Sequence, residues 1–217
     1  MSATNTKGGD RPRNANDAYE TDPRLALAIA RQVRAAFGEF DLVVEPSAGG
    51  GAFVRAARQT WRYSRIVAIE PFGAHARPHV VGGVATPLHD AGADGVLRTR
   101  WEDYVEAWEP PAEQRRLTLA NPPFALGEAH IRLALERSRV GDVVAMLLRG
   151  SMLASAARVR GLWRAWPPSH VWNLAPRPSF TGGGSDSAEY VVVAWSLPCT
   201  GAGYVGGWLD WRPVGIA

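Results

Sequence analysis

Asn121-Pro122-Pro123-Phe124 is the stretch of this sequence best suited to chemistry. It follows Arg115-Arg116-Leu117-Thr118-Leu119-Ala120, a β-prone run that two prolines stop abruptly. Proline cannot continue a central strand and holds the residue before it extended, so a rigid corner is predicted at a strand's carboxyl end. Such a corner presents the Asn121 amide, a proline carbonyl and the Phe124 ring to one cavity. Two oxygens there can accept both hydrogens of a planar amino group while the ring stacks on the group that carries it. The chemistry suits the amine of a nucleobase or an amide. The same residues also suit a plain Pro-Pro turn closing a strand.

Upstream, Leu42-Val43-Val44-Glu45 reads as a buried strand, followed by Pro46-Ser47-Ala48-Gly49-Gly50-Gly51 and the start of a helix at Ala52-Phe53-Val54. Glycines belong where backbone takes positive φ or approaches a ligand closely. A dinucleotide fingerprint would place a third glycine where Val54 stands, and no Lys-Ser/Thr pair follows to make a phosphate loop. The next strand, Arg65 to Glu70, ends in a carboxylate roughly twenty residues after the glycines, where α/β nucleotide folds place an acid on ribose hydroxyls.

Glu45-Pro46-Ser47-Ala48-Gly49-Gly50-Gly51-Ala52-Phe53 followed by Asn121-Pro122-Pro123-Phe124 resembles the S-adenosylmethionine-dependent adenine-N6 DNA methyltransferases, above all the small phage- and prophage-type enzymes. The resemblance extends from residue 17 to residue 197. Asp17-Ala18-Tyr19-Glu20-Thr21-Asp22-Pro23 is similar to the family's amino-terminal motif, with Asp22 where proline is more usual. Trp101-Glu102-Asp103-Tyr104 looks like its adenine-holding Asp-Phe pair, and Arg177-Pro178-Ser179-Phe180 with Asp186, Glu189 and Tyr190 like its late hairpin. The resemblance implies a class I methyltransferase, α/β, with a Rossmann-like doubly wound sheet that is mostly parallel and carries an antiparallel edge hairpin.

It also implies roles. Asn121, Pro122, Pro123 and Phe124 would be catalytic. Tyr19, Thr21, Glu45, Pro46, Ser47, Gly49, Gly51, Phe53, Glu70, Asp103, Tyr104 and Asn121 would bind S-adenosylmethionine. Phe124, Arg177 and Phe180 would meet the substrate, an adenine flipped from single- or double-stranded DNA. Arg177 to Phe180 also read as a hairpin with one buried aromatic.

Composition sets bounds. The chain has 217 residues, suiting one α/β domain. Residues 1–16 read as a mobile polar tail and 17–217 as one methyltransferase domain with no room for a separate target-reading region, hence short or relaxed sequence specificity. Hydrophobic residues make up 46%, enough for a substantial core, yet no apolar run approaches the ~20 residues that span a bilayer. No secretory pattern opens the chain, and the single cysteine, Cys199, excludes an internal disulfide framework, so a cytoplasmic protein is expected; the resemblance implies a bacterium or phage-infected cell. A net charge of +3 alone does not identify a nucleic-acid partner. The basic residues other than Lys7 are arginines, which fork onto phosphates, although a GC-rich genome produces the same bias. His75, His79, His89, His130 and His170 show no metal-ligand spacing, so no metal is predicted. The sequence leaves oligomeric state open.

The elements that must position these residues follow from pattern. Pro23 to Phe37 reads as a helix capped by Thr21 or Asp22 and closed at Gly38, and strand, glycine turn, helix (Ala52 to Thr60) and strand make a βαβ unit. Residues 71 to 95 are predicted to be irregular, or to hold an inserted strand at 79 to 85, with a strand near Val96 to Thr99. Helices are expected at Glu128 to Arg139 and Ser151 to Trp166, and strands at Asp142 to Leu148, His170 to Leu174 and Tyr190 to Trp195. The last two form an antiparallel pair at the sheet edge, joined by the loop Ala175 to Glu189. The tail from Pro198, with Trp208 and Trp211, is expected to pack back on the domain. Competing readings are a methyltransferase acting on an RNA base or a glutamine amide, a catalytically silent cofactor-binding scaffold subunit and, third, a dinucleotide-dependent oxidoreductase.

Overall fold

The structure is a computed structural model that describes residues 19–71, 80–81, 84–85, 88–107, 113–180, 187–201 and 203–212. The polar tail, Asp17, the glycines 182–184 and Asp186 lie outside the described residues. In chain order the elements are α1 (Pro23–Phe37), β1 (Leu42–Glu45), α2 (Ala52–Thr60), β2 (Arg65–Ile69), β3 (Val80–Val81), β4 (Val84–Ala85), β5 (Gly95–Leu97), α3 (Trp101–Ala107), β6 (Arg116–Ala120), α4 (Gly127–Glu136), β7 (Val143–Arg149), α5 (Ala156–Arg160), α6 (Leu162–Ala165), β8 (His170–Ala175), β9 (Tyr190–Ser196) and β10 (Val205–Asp210).

One sheet runs β10-β8-β9-β7-β6-β1-β2-β5, and β3 pairs with β4 separately. The pairs β2–β5, β1–β2, β1–β6, β6–β7 and β8–β10 are parallel, while β9 is antiparallel to both β7 and β8. Strand order reverses at β1, because β2 extends the sheet to one side and β6 to the other. In open α/β sheets ligands bind outside the strands' carboxyl ends at such a switch point. Here Glu45 ends β1 and Asn121 follows β6 directly.

Residues along β7 alternate between two cores, as a period of two demands of a strand buried on both faces. Val143, Ala145 and Leu147 join Leu25, Ile29 and Val33 of α1 and Val54 and Ala57 of α2. Val144, Met146 and Leu148 join Trp101 of α3, Ile131 and Leu135 of α4 and Leu162 of α6. Three layers result, helix on sheet on helix. At the pole away from the switch point, Arg116, 1% exposed, donates from Nη2 to Asp142 Oδ2 at 3.1 Å and to the Arg137 carbonyl at 2.6 Å. The backbone N–H of Arg116 donates to Asp142 Oδ1 at 2.9 Å, so β6 and the turn before β7 share one buried ion pair. Among the described residues, no helix is long and apolar enough to cross a membrane.

Four expectations change. Two short strands, β3 and β4, replace the single inserted one. The helix expected over Ser151 to Trp166 is a 3-10 turn (Gly150–Met152) and two short helices broken at Gly161. The β8–β9 pair is antiparallel but does not form the sheet edge: β10 lies outside β8. In that tail Leu209 and Trp211 are buried, whereas Trp208 is 77% exposed, because alternate residues of β10 face opposite sides and the outer side is uncovered.

Candidate active site

The glycine turn closes tightly on the end of β1. Ala48 N–H donates to the Ile69 carbonyl at 3.1 Å, pinning the turn to β2, and Gly51 N–H donates to the Ala48 carbonyl at 2.7 Å. Gly49 (φ 46°) and Gly51 (φ 79°) take left-handed backbone, where a Cβ is disfavoured. At Gly51 a Cβ would also meet Ala91 Cβ at 3.0 Å and Leu88 Cδ2 at 3.1 Å. Gly51 caps α2 with no side-chain hydrogen bond. The first-turn amides of α2 are therefore available to an anion.

Two carboxylates flank this turn. Glu45 is 2% exposed; its Oε1 accepts from Ser47 N–H at 3.1 Å, while Oε2 is buried without a hydrogen-bond partner. Burial holds its carboxyl well above the ordinary glutamate range; the Ser47 N–H opposes that shift and the nearby Glu70 adds to it. Glu70 Oε2 accepts from Gly49 N–H at 2.8 Å, and burial raises its pKa as well. A cation placed beside this pair would relieve both the desolvation and the repulsion.

The corner after β6 is held from the amino-terminal segment. Asn121 Nδ2 donates to Thr21 Oγ1 at 3.1 Å and to the Tyr19 carbonyl at 3.4 Å. A carbonyl only accepts, so the amide's NH2 must face Tyr19 and its oxygen must face away. That oxygen, Oδ1, is buried and unpartnered. Thr21 is 6% exposed, and Asp22 caps α1 beside it, accepting from Arg24 N–H at 2.8 Å with Pro23 at the first helical position.

Phe124 sits in a ring cluster. Its centroid lies 5.7 Å from Tyr19, 5.8 Å from Phe180 and 5.6 Å from Tyr190, and Phe180 and Tyr190 are 4.7 Å apart. The Arg149 guanidinium lies 4.4 Å over the Phe124 ring. Tyr190 and Arg149, which the sequence reading did not place at the site, arrive because β9 and β7 pair them directly.

The remaining candidates divide. Pro46 and Pro122 are buried and Pro123 is half-buried at the same strand ends. Phe53 is 4% exposed within the core, so only its backbone amide, in the first turn of α2, can reach a ligand. Asp103 is exposed in the first turn of α3, and Tyr104 packs on Trp101 at 6.1 Å with its hydroxyl pKa pushed up to about 12 by burial. Arg177 is exposed and donates to the Ser187 carbonyl at 3.5 Å. His130 carries no metal-ligand spacing in the sequence, yet it lies at the site. It is 4% exposed, with Nδ1 3.4 Å from Ser47 Oγ and Nε2 3.6 Å from Glu102 Oε1. Its partners lie on two distant segments, and no local pattern marks them.

No protein-family model matches this sequence, and neither does any curated protein. Solved structures do match in shape. A proposed RNA methyltransferase of Pyrococcus horikoshii superposes with a TM-score of 0.60 at 15% identity over 88% of this chain and 92% of its own. A proposed class I S-adenosylmethionine-dependent methyltransferase of Listeria monocytogenes gives a TM-score of 0.62 at 8% identity, over 92% and 68%. The type I restriction-modification methyltransferase subunit of Streptococcus thermophilus gives 0.59 at 13% identity over 82% of this chain and 44% of that one. An arrangement common to these proteins, with the strand order and switch point described above, gives this chain the Rossmann-like fold of the class I methyltransferases.

Proposed function

We propose that this protein transfers a methyl group from S-adenosylmethionine to the N6 amine of adenine in DNA, with short or relaxed sequence specificity. The observation that carries the proposal is Asn121: Tyr19 and Thr21 hold its amide nitrogen, and its buried oxygen is left unpartnered at the carboxyl end of β6. The residues present fit the cofactor. Glu45 offers an unpartnered buried carboxylate oxygen to a cationic group, α2 offers uncapped amides to a carboxylate, and Glu70, at the end of β2 beside the glycine turn, is the candidate for the ribose hydroxyls. Asp103 and Tyr104, on α3, are the candidates for its adenine, with Tyr19 and Thr21 closing over its methionine part.

The cofactor supplies a methyl on a positively charged sulfur that departs as a neutral thioether. What this chain contributes is alignment and proximity. Asn121 Oδ1 and the Pro122 carbonyl accept the two amine hydrogens and favour a pyramidal nitrogen. Phe124 stacks on the base, a contact contributing about 1–3 kcal/mol against the few kcal/mol needed to flip a base from a duplex. No strong general base is required, because the amine proton becomes acidic once the nitrogen is methylated, and water takes it. Phe180, within the ring cluster, and Arg177, on the same segment, are the proposed contacts to the DNA strand. We place the reaction in the cytoplasm of a bacterium or phage-infected cell, performed by a single domain spanning residues 17–217.

The Pyrococcus neighbour, covered almost fully, supports RNA as an alternative substrate, and the restriction-modification neighbour supports DNA. Glu45-Pro46-Ser47-Ala48 and the hairpin carrying Phe180 favour DNA. Incubation with methyl-labelled S-adenosylmethionine and, in parallel, DNA, RNA and protein tests the assignment: label is expected in the N6 position of adenine in DNA. Label in RNA or in a protein amide alone would overturn it. Asn121→Ala is expected to abolish turnover while largely sparing cofactor affinity, and calorimetry finding that affinity lost in a folded variant would refute the division of labour.

A further inference from the structure

His130 joins three parts of the site that are far apart in sequence. It lies on α4, the helix that begins just after the Asn121–Phe124 corner. Its ring reaches Ser47 in the turn after β1 and Glu102 on α3, next to Asp103. The ring is 4% exposed, and burial lowers its pKa against the opposing pull of Glu102, so the neutral imidazole is the favoured form.

A neutral imidazole has one donor nitrogen and one acceptor nitrogen. The Glu102 carboxylate oxygen, 3.6 Å from Nε2, favours a proton on that nitrogen, and Nδ1 is then the acceptor toward Ser47. The Ser47 hydroxyl then donates to Nδ1 while the Ser47 backbone N–H donates to Glu45 Oε1 at 3.1 Å. With that tautomer the contacts run in one sense from Glu102 through His130 and Ser47 to the carboxylate whose other oxygen is unpartnered.

We infer that His130 is a positioning residue, which through Ser47 sets the orientation of Glu45 and ties the cofactor turn to the amine-binding corner. This rests on the proposed cofactor reading. A net hydrogen bond of ordinary strength corresponds to about a fivefold change in affinity. Removing the ring nitrogens in His130→Leu is therefore expected to weaken binding of S-adenosylhomocysteine, the cofactor product, by about fivefold. His130→Asn, whose amide oxygen can stand in for Nδ1 toward Ser47, should regain most of that loss. Ser47→Ala should match His130→Leu, and the double variant should be no weaker than the worse single one.

Calorimetry of these four variants, with melting curves to confirm folding, forms one arm of the experiment. Nitrogen-detected NMR of the wild-type imidazole, at neutral pH and without ligand, forms the other. An Nε2–H tautomer with an unprotonated Nδ1 is expected. An Nδ1–H tautomer, additive losses in the double variant, or His130→Asn binding no better than His130→Leu would each overturn the inference while leaving the cofactor assignment intact. Failure of the wild-type protein to bind S-adenosylhomocysteine would overturn the cofactor assignment, and this inference with it.

Discussion

Thr21→Val isolates the device that turns Asn121. Valine matches threonine in shape, and Thr21 is 6% exposed, so the substitution leaves packing nearly unchanged and removes only the hydroxyl. Asn121 Nδ2 then loses its 3.1 Å partner and keeps the 3.4 Å contact to the Tyr19 carbonyl. A buried donor left without its partner costs about 1–3 kcal/mol. The amide can escape that cost by rotating away from the orientation that the proposed methyl transfer requires. If the whole cost falls on the reactive arrangement, kcat/KM drops by roughly 5- to 150-fold, since about 1.4 kcal/mol corresponds to tenfold. The assay is methyl transfer from labelled cofactor to adenine-containing DNA, with Thr21→Ser as the control that restores a hydroxyl. The reasoning is refuted if Thr21→Val transfers methyl as fast as wild type, or if Thr21→Ser is as impaired as Thr21→Val.

Other expectations come from features with separate causes. Glu45 has a folded-state pKa raised above its unfolded value, so the cofactor-free protein loses stability as pH rises from the ordinary glutamate value of 4.5 toward the raised one. Glu45→Gln should therefore melt higher than wild type at neutral pH while binding S-adenosylhomocysteine more weakly, a pairing that melting curves and calorimetry check. Asp142→Ala strands the Arg116 charge in the core and should destabilise the fold by about 3–5 kcal/mol in urea unfolding. Arg177→Glu should weaken DNA binding and flatten its dependence on salt, by a slope change of about one or more, as measured by fluorescence anisotropy; an unaltered slope removes Arg177 from the DNA interface.

The parts of the site that chain neighbours dictate were legible in the sequence. The prolines after Ala120 and the glycines after Glu45 impose their corner and turn locally, so both could be located before any packing was known. The sheet centre was equally plain, because β1, β2, β6 and β7 are apolar runs bounded by charged or turn residues. What pairing decides was not legible. Gly206-Gly207 in β10 has little intrinsic strand preference, and that segment is a strand because it bonds to β8 and buries Leu209 and Trp211. Ser151 to Trp166 keeps a helical pattern, yet Ser155 caps a new start and Gly161 breaks the run. His130 stayed invisible for the same reason: its partner Ser47 is 83 residues away, and only the closing of α4 over the first strand's turn brings them together.

The outermost strand has a use beyond extending the sheet. Trp211, just past its end, is 3% exposed, and its ring N–H donates to the Pro176 carbonyl at 2.5 Å. Pro176 is the first residue of the connection that carries Arg177 and Phe180 toward the ring cluster, so that connection is moored at its root by a residue outside the catalytic machinery. Cutting this mooring, as in Trp211→Phe, would loosen the root of the segment, and the consequence would be felt by the proposed DNA substrate rather than by the nucleoside end of the cleft.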